Sequence, residues 1–130
     1  MNVPALKSNS PFEFKNWRVY QTSLNFSRRI FRTCRKWPQL GPRGLQDQIR
    51  RSVSSIPLNI AEGFGRFSKR DKLHFARIAR GSLFEVVATL DLAHELGYIE
   101  ESLLANLNEQ AVLIMKMLNA LIRSLSEREK

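Results

Sequence analysis

Residues 100–126, EESLLANLNEQAVLIMKMLNALIRSLS, carry the clearest periodic pattern in the chain. Apolar residues recur there at alternating spacings of three and four, the spacing of one buried face on an α-helix. That face holds Leu104, Leu107, Ala111, Ile114, Leu118, Leu121 and Leu125. An isolated helix cannot remove such a seam from water, so the pattern requires partner helices from elsewhere in the chain.

Three further helices are predicted upstream from their own apolar spacing, giving four helical segments at about 14–36, 42–64, 69–95 and 100–126. Trp37-Pro38 ends the first, because the residue before a proline is disfavoured in the α region, and Gly97 ends the third. We therefore predict an all-α fold, an up-down-up-down antiparallel four-helix bundle spanning 14–126. A flexible N-terminal arm is expected at 1–13 and a C-terminal tail at 127–130.

The first helix is predicted to have one apolar face, called the dry face below because it packs away from water, and one cationic face. The dry face holds Tyr20, Leu24, Phe31 and Cys34, flanked by Trp17, Phe26 and Ile30. The cationic face holds Arg18, Arg28, Arg29, Arg32 and Lys36.

Proline and glycine mark the second helix. Pro42 suits its first turn, and Gly63 and Gly65 are expected to close it. Pro57 interrupts the apolar run, so it should bend the helix and free the carbonyl of Val53. Ser54, Ser55 or water would then satisfy that carbonyl. The third helix is predicted to begin with a capping box, Ser68 as N-cap and Asp71 three residues later.

The chain is strongly basic, with 130 residues, a net charge of +9 and 43% hydrophobic residues, so a single packed domain with an anionic partner is expected. The charge is uneven. Residues 1–37 carry eight basic and one acidic side chain, residues 38–80 carry nine and three, and residues 81–130 carry four and eight. This asymmetry favours a localised positive surface over a uniform one.

Arginine predominates among the basic residues, and its planar guanidinium suits phosphate oxygens. We therefore predict a nucleic-acid-binding surface of low sequence specificity on the outer face of the first helix and around the loop into the third. Its residues are Arg18, Arg28, Arg29, Arg32, Lys36, Arg66, Lys69, Arg70 and Arg77. The alternative is that some arginines, above all Arg50, Arg51 and Arg80, pair with carboxylates inside the bundle or between subunits.

The residues do not form a recognisable catalytic or metal site, and no enzyme activity or cofactor is predicted. Asp91 and His94 have the spacing of a di-iron ligand pair, but the second pair that such sites need is missing. Cys34 stands alone on a buried stripe and fits a core role. The single cysteine, the absence of a signal sequence and the absence of a long apolar run favour a cytoplasmic protein.

Two stretches resemble a known family: residues 48–66, QIRRSVSSIPLNIAEGFGR, and residues 79–85, ARGSLFE, followed by Leu96-Gly-Tyr98. They are similar to the four-helix-bundle 23S rRNA intervening-sequence proteins, relatives of the accessory variability determinant of diversity-generating retroelements. The resemblance covers about residues 17–125. It implies a bacterial, cytoplasmic protein that assembles as a ring-like homopentamer, and a retroelement branch that binds nucleic acid and a reverse transcriptase through basic surfaces.

The resemblance also implies a structural role, in interhelix hydrogen bonds and subunit contacts, for the motif residues. These are Arg50, Arg51, Pro57, Asn59, Glu62, Gly63, Arg80, Gly81, Ser82 and Glu85. The chain departs from the family pattern at residues 40–43, LGPR, where a more acidic and aromatic link is expected. The function predicted is that of a non-enzymatic, homo-oligomeric nucleic-acid-binding protein. The rival is a scaffold that binds an acidic protein partner or a reverse transcriptase.

Overall fold

Four helices form the bundle. The computed structural model describes residues 10–39 and 44–128, with side chains to residue 127, and contains α1 (Arg18–Cys34), α2 (Leu45–Phe64), α3 (Lys69–Glu95) and α4 (Glu101–Arg128). A short 3-10 turn at Glu13–Asn16 precedes α1. Helix α2 packs against α1 and α3, and α4 closes the bundle against α3 and α1. The predicted all-α four-helix bundle is confirmed.

The predicted seam of α4 supplies one wall of the core. Leu107, Ala111, Ile114, Leu118 and Leu125 are buried, whereas Leu104 and Leu121 are half-buried. Leu107, Ala111, Ile114 and Leu118 share one core cluster with Ile49, Val53, Ile56 and Ile60 of α2 and with small and branched residues of α3, whereas Leu125 packs with Leu73 and Ala76. Removing a side chain of this size from water contributes about 1.5–3 kcal/mol, so the shared core stabilises all four helices.

The predicted orientation of α1 is wrong by about one residue. Its buried residues are Val19, Ser23, Phe26, Ile30 and Cys34, and the ring of Phe31 is 37% exposed. The helix begins at Arg18 rather than at 14, because Trp17 has extended backbone (ψ 132°) after the 3-10 turn. That break turns the rings of Phe14 and Trp17 onto Phe64 of α2, at centroid distances of 5.6 and 5.2 Å.

The other helix ends also refine the prediction. Helix α2 begins at Leu45 after the N-cap Gly44, not at 42, and Pro42 lies outside the described residues. Gly63 is a buried helical residue rather than a stop, and Gly65 is the C-cap. Helix α4 continues to Arg128, past the predicted end at 126. Residues 1–9 of the predicted arm and 129–130 of the tail lie outside the described residues.

Two predicted helix boundaries are confirmed in detail. The Ser68 hydroxyl accepts a hydrogen bond from the backbone N–H of Asp71 at 3.1 Å and caps α3. Helix α3 ends in a Schellman motif around Gly97, whose φ of +78° favours glycine. Tyr98 N–H donates to Ala93 C=O at 2.8 Å, and Gly97 N–H donates to His94 C=O at 3.0 Å. This turn sends the chain back along the bundle as α4.

Candidate nucleic-acid interface

The cationic residues of α1 differ in exposure. Arg18, Arg32 and Lys36 are exposed, while Arg28 and Arg29 are half-buried against the bundle. Among residues 10–39 and 44–127, no carboxylate lies within ion-pair distance of Arg28, Arg32 or Lys36. The positive charge of these three side chains is therefore not neutralised by a neighbouring acid.

Arg29 is held by the bundle. Its guanidinium donates to the side-chain oxygens of Gln110, at 2.6 Å, and Asn106, both on α4. Gln110 in turn donates to Asn25 of α1 at 3.3 Å. Amide partners leave the charge of Arg29 intact but fix its position, so this arginine contributes to α1–α4 packing as well as to the surface potential.

A second cationic group surrounds the loop between α2 and α3. Arg66, Lys69, Arg70 and Arg77 are all exposed. Arg66 forms an ion pair with Glu62 at 2.9 Å, and its guanidinium lies 4.7 Å from the ring centroid of Phe75. An exposed pair one helical turn apart stabilises by only about 0.3–0.5 kcal/mol, so Arg66 remains accessible to a competing anion.

The bundle does not bring the two groups together. Helices α1 and α3 share no close backbone contact within the described residues, so they lie diagonally and face opposite sides. Most of the α1 group also lies at a different height along the bundle; the exception is Arg18, which follows Trp17 at the end that holds the α2–α3 loop. Trp17 contacts Phe64 near the α2–α3 loop, whereas Trp37 contacts Tyr98 at the other end, 6.1 Å between ring centroids. Fourteen residues of α1 separate Arg18 from Arg32, about 21 Å at 1.5 Å per residue.

Two cationic side chains, Lys72 and Arg35, are not among the residues predicted from the sequence. Lys72 donates from Nζ to the carbonyl of Phe64 at 2.8 Å, which satisfies the C-terminal end of α2. Arg35 is exposed just after α1, one turn beyond the exposed Phe31. The four-residue spacing of Phe31 and Arg35 is visible in the sequence, but the prediction that Phe31 is buried conceals the pair.

The family-like residues line the contact between α2 and α3. The hydroxyls of Ser55 and Ser82 are 2.8 Å apart, and Ser52 donates to the carboxylate of Glu85. Asn59 donates from Nδ2 to the carbonyl and hydroxyl oxygens of Ser55, at 2.7 and 2.8 Å. The Ser55–Ser82 and Ser52–Glu85 contacts join α2 to α3 at a partly exposed groove, whereas the bonds of Asn59 stay within α2.

The remaining motif residues have separate partners. Arg51 pairs with Asp47 at 3.4 Å, and Arg80 donates from Nε to Asn119 Oδ1 at 2.8 Å. The guanidinium carbon of Arg50 lies 5.7 Å from the ring centroid of Phe31. Pro57 is buried within the continuous α2 helix. A Cβ on Gly63 would meet the Cβ of Phe75 at 3.1 Å, so this glycine lets α2 and α3 approach closely.

Cys34 is fully buried, and burial raises the pKa of its thiol despite the opposing charge of Arg50. The thiol is therefore a poor nucleophile at neutral pH. No group of three metal-ligating side chains occurs in the described ranges 10–39 and 44–127. None of the described helices is long and apolar enough to span a membrane.

The helices that carry these cationic residues fall within a known protein family. Residues 15–120, which include all of α1, α2 and α3 and most of α4, match the model of the 23S rRNA-intervening sequence proteins. The chain belongs to this family. The resemblance of residues 48–66 and 79–85 is thereby confirmed at the level of the family; the relation to the retroelement determinant stays a resemblance.

A solved structure shares the fold of this family member. It is the crystal structure of a protein of unknown function from the S23 ribosomal protein family of Bacteroides thetaiotaomicron. The two chains are 27% identical and superpose with a TM-score of 0.72, over 80% of this chain and 97% of the other. No curated protein matches the chain.

Proposed function

We propose that this family member is a non-enzymatic, homo-oligomeric nucleic-acid-binding protein of the cytoplasm. The observation that carries the proposal is the unneutralised cationic face of α1, where Arg32 and Lys36 are exposed beside the half-buried Arg28. A polyanion gains affinity there through release of its counterions, and this gain does not depend on base sequence. The family's name refers to ribosomal RNA, which supports RNA as the first ligand to test.

The second cationic group, around the loop between α2 and α3, also favours a polyanionic ligand. Arg70 and Arg77 are exposed on one side of α3, and Arg66 is tied only by an exposed ion pair. Because this second group faces away from α1, one subunit presents two cationic patches. An oligomer would multiply such patches and increase avidity for a long polyanion.

Self-association is supported by an apolar groove between α3 and α4. Phe84 and Val112 are each 54% exposed there, and Leu83, Val87 and Met115 complete the lining. Large exposed apolar side chains of this kind are typical of a protein–protein contact. A second copy of the chain is the proposed occupant, and the family resemblance suggests five subunits.

A charge-reversal experiment tests the nucleic-acid proposal. The variant Arg32→Glu/Lys36→Glu is compared with Lys116→Glu/Arg123→Glu, which makes the same charge change at exposed positions of the acidic half. Binding of a structured RNA and of duplex DNA is followed by fluorescence anisotropy from about 50 to 200 mM salt. We expect wild-type affinity to fall steeply with salt, and only the α1 variant to lose most of its affinity at low salt and to flatten the slope.

Absence of wild-type binding at the lowest salt would refute the proposal. Equal losses in both variants would mean that total charge, rather than the α1 face, determines affinity. If the α1 variant instead lost an acidic protein or a reverse transcriptase in a pull-down while keeping its RNA affinity, the scaffold function would replace the present one.

A further inference from the structure

A groove on the α1–α2 side of the bundle combines an aromatic ring with arginines and hydroxyls. Phe31 of α1 and Leu58 of α2 form its apolar floor, and Arg50, Arg51 and Ser54 line it. The ring of Phe31 is 37% exposed and the Leu58 side chain 66% exposed. The single-residue rotation of α1 relative to its sequence pattern brings this ring to the surface.

The ring has a fixed cation beside it. The guanidinium carbon of Arg50 lies 5.7 Å from the Phe31 centroid, and its Nε is buried without a hydrogen-bond partner among the described residues. Arg50 is half-buried, so its position is set by the bundle rather than by solvent. A ring and a planar guanidinium held together offer two flat surfaces against which a third flat group can stack.

Further positive charges surround the ring. Arg28 precedes Phe31 by three residues and Arg35 follows it by four, which places both on the same side of α1. Across the groove, the Arg51 side chain is 70% exposed and pairs only loosely with Asp47 at 3.4 Å. The ligand that complements this surface carries negative charge at intervals and flat aromatic groups between the charges.

We propose that this groove binds an unstacked base of single-stranded nucleic acid, with the base against Phe31 and the adjacent phosphates near Arg28, Arg35 and Arg51. The inference rests on the proposed function and adds a site and a preference to it, since bases inside a duplex cannot reach the ring. The self-association proposed above uses the separate groove between α3 and α4, and the arginines around Phe31 complement a polyanion.

The experiment compares single-stranded with duplex RNA. Phe31→Leu keeps an apolar side chain and removes the ring, and binding of a mixed-sequence oligoribonucleotide and of its duplex is measured by anisotropy. We expect the affinity for the single strand to fall about 5- to 100-fold, because stacking on one aromatic side chain contributes that much. The salt slope and the duplex affinity should stay unchanged, since no phosphate contact is lost. Phe31→Trp should retain the single-strand affinity.

Phe12→Leu is the matched control, because Phe12 is 57% exposed and has the Lys15 ammonium 5.9 Å from its ring centroid. Circular dichroism and thermal melting establish that each variant is folded. If the wild-type protein binds neither the single-stranded nor the duplex RNA, the proposed function itself is refuted. If the wild-type protein binds RNA but Phe31→Leu has the same single-strand affinity, only the groove proposal is overturned. The same holds if Phe12→Leu loses as much single-strand affinity as Phe31→Leu. A changed sedimentation coefficient with unchanged single-strand affinity would assign the groove to contacts between copies and also overturn it.

Discussion

The hydroxyl oxygen of Ser27 on α1 lies 3.3 Å from the carbonyl oxygen of Val53 on α2. Val53 is the residue whose helical hydrogen bond is missing, because Pro57 follows four residues later and has no N–H. The Ser27 hydroxyl also lies 2.8 Å from the carbonyl of Ser23, so its single proton is shared between the two acceptors. The carbonyl freed by the proline is thus satisfied from the neighbouring helix. The prediction that Ser54 or Ser55 would do so is wrong, because Ser54 bonds the carbonyl of Arg50 and Ser55 bonds Ser82.

Ser27→Ala should therefore lower the free energy of unfolding by about 1 kcal/mol, the typical cost of losing one intramolecular hydrogen bond. In a Pro57→Ala background the cost should shrink, because the new N–H can donate to the Val53 carbonyl. A double-mutant cycle by urea unfolding measures this coupling. Strictly additive effects of the two substitutions would show that Ser27 does not serve the carbonyl.

Glycine-to-alanine substitutions should have opposite signs at two positions. At Gly63 the new Cβ would lie 3.1 Å from the Cβ of Phe75, so Gly63→Ala should destabilise by about 1–3 kcal/mol through overpacking of α2 against α3. At Gly81 nothing lies within 4 Å, so Gly81→Ala should stabilise α3 by about 0.5–1 kcal/mol. Thermal unfolding of the two variants gives the comparison, and a stabilised Gly63→Ala protein would contradict the close approach.

The buried thiol of Cys34 should make the free energy of unfolding depend on pH. Burial raises the pKa of Cys34 in the folded chain, so as pH rises the unfolded chain ionises first and the folded state loses stability. The contribution of Cys34 to the free energy of unfolding is therefore fully present below the ordinary thiol pKa, and it is lost progressively as the pH rises above that value. The difference in unfolding free energy between wild type and Cys34→Ala should therefore narrow between pH 7 and pH 10. A constant difference in urea unfolding at the two pH values would argue against a buried neutral thiol.

Charge introduced into the α3–α4 groove should separate the proposed subunits. Val112→Asp places a carboxylate among apolar side chains, and we expect a smaller sedimentation coefficient at micromolar concentration than for wild type. Leu92→Asp is the control, because Leu92 is 48% exposed on α3 and does not line this groove. Wild-type protein that sediments as a 15.0 kDa monomer would refute self-association altogether.

Structure is predicted best from the sequence where a local pattern of residues is compatible with only one local conformation. The heptad seam of α4, the serine cap of α3 and the left-handed glycine after α3 are each dictated by local physics, and the structure contains all three. The cap and the glycine need only neighbours within a few residues. The apolar seam of α4 requires only an apolar surface to pack against. Its spacing can therefore be recognised without knowing which helices supply that surface.

Prediction was weaker where the outcome depends on distant parts of the chain. The buried face of α1 is set by how Phe14 and Trp17 pack on Phe64, and that contact is invisible in the spacing of α1 itself. Arg29 looked like a free surface charge because its amide partners lie on α4, far along the chain. The cationic residues looked continuous in sequence, but the diagonal placement of α1 and α3 separates them.

The serine and glutamate contacts between α2 and α3 have a consequence for alignment. Ser52 meets Glu85 and Ser55 meets Ser82, so each step of three residues up one helix matches a step of three down the other. A slip of one helical turn, about 5.4 Å, would place Ser55 opposite Glu85 or Ser52 opposite Ser82, so one of the two polar pairs would be lost, whereas apolar side chains could repack. The two polar pairs are both formed only in the observed alignment, so they favour one register of the two antiparallel helices.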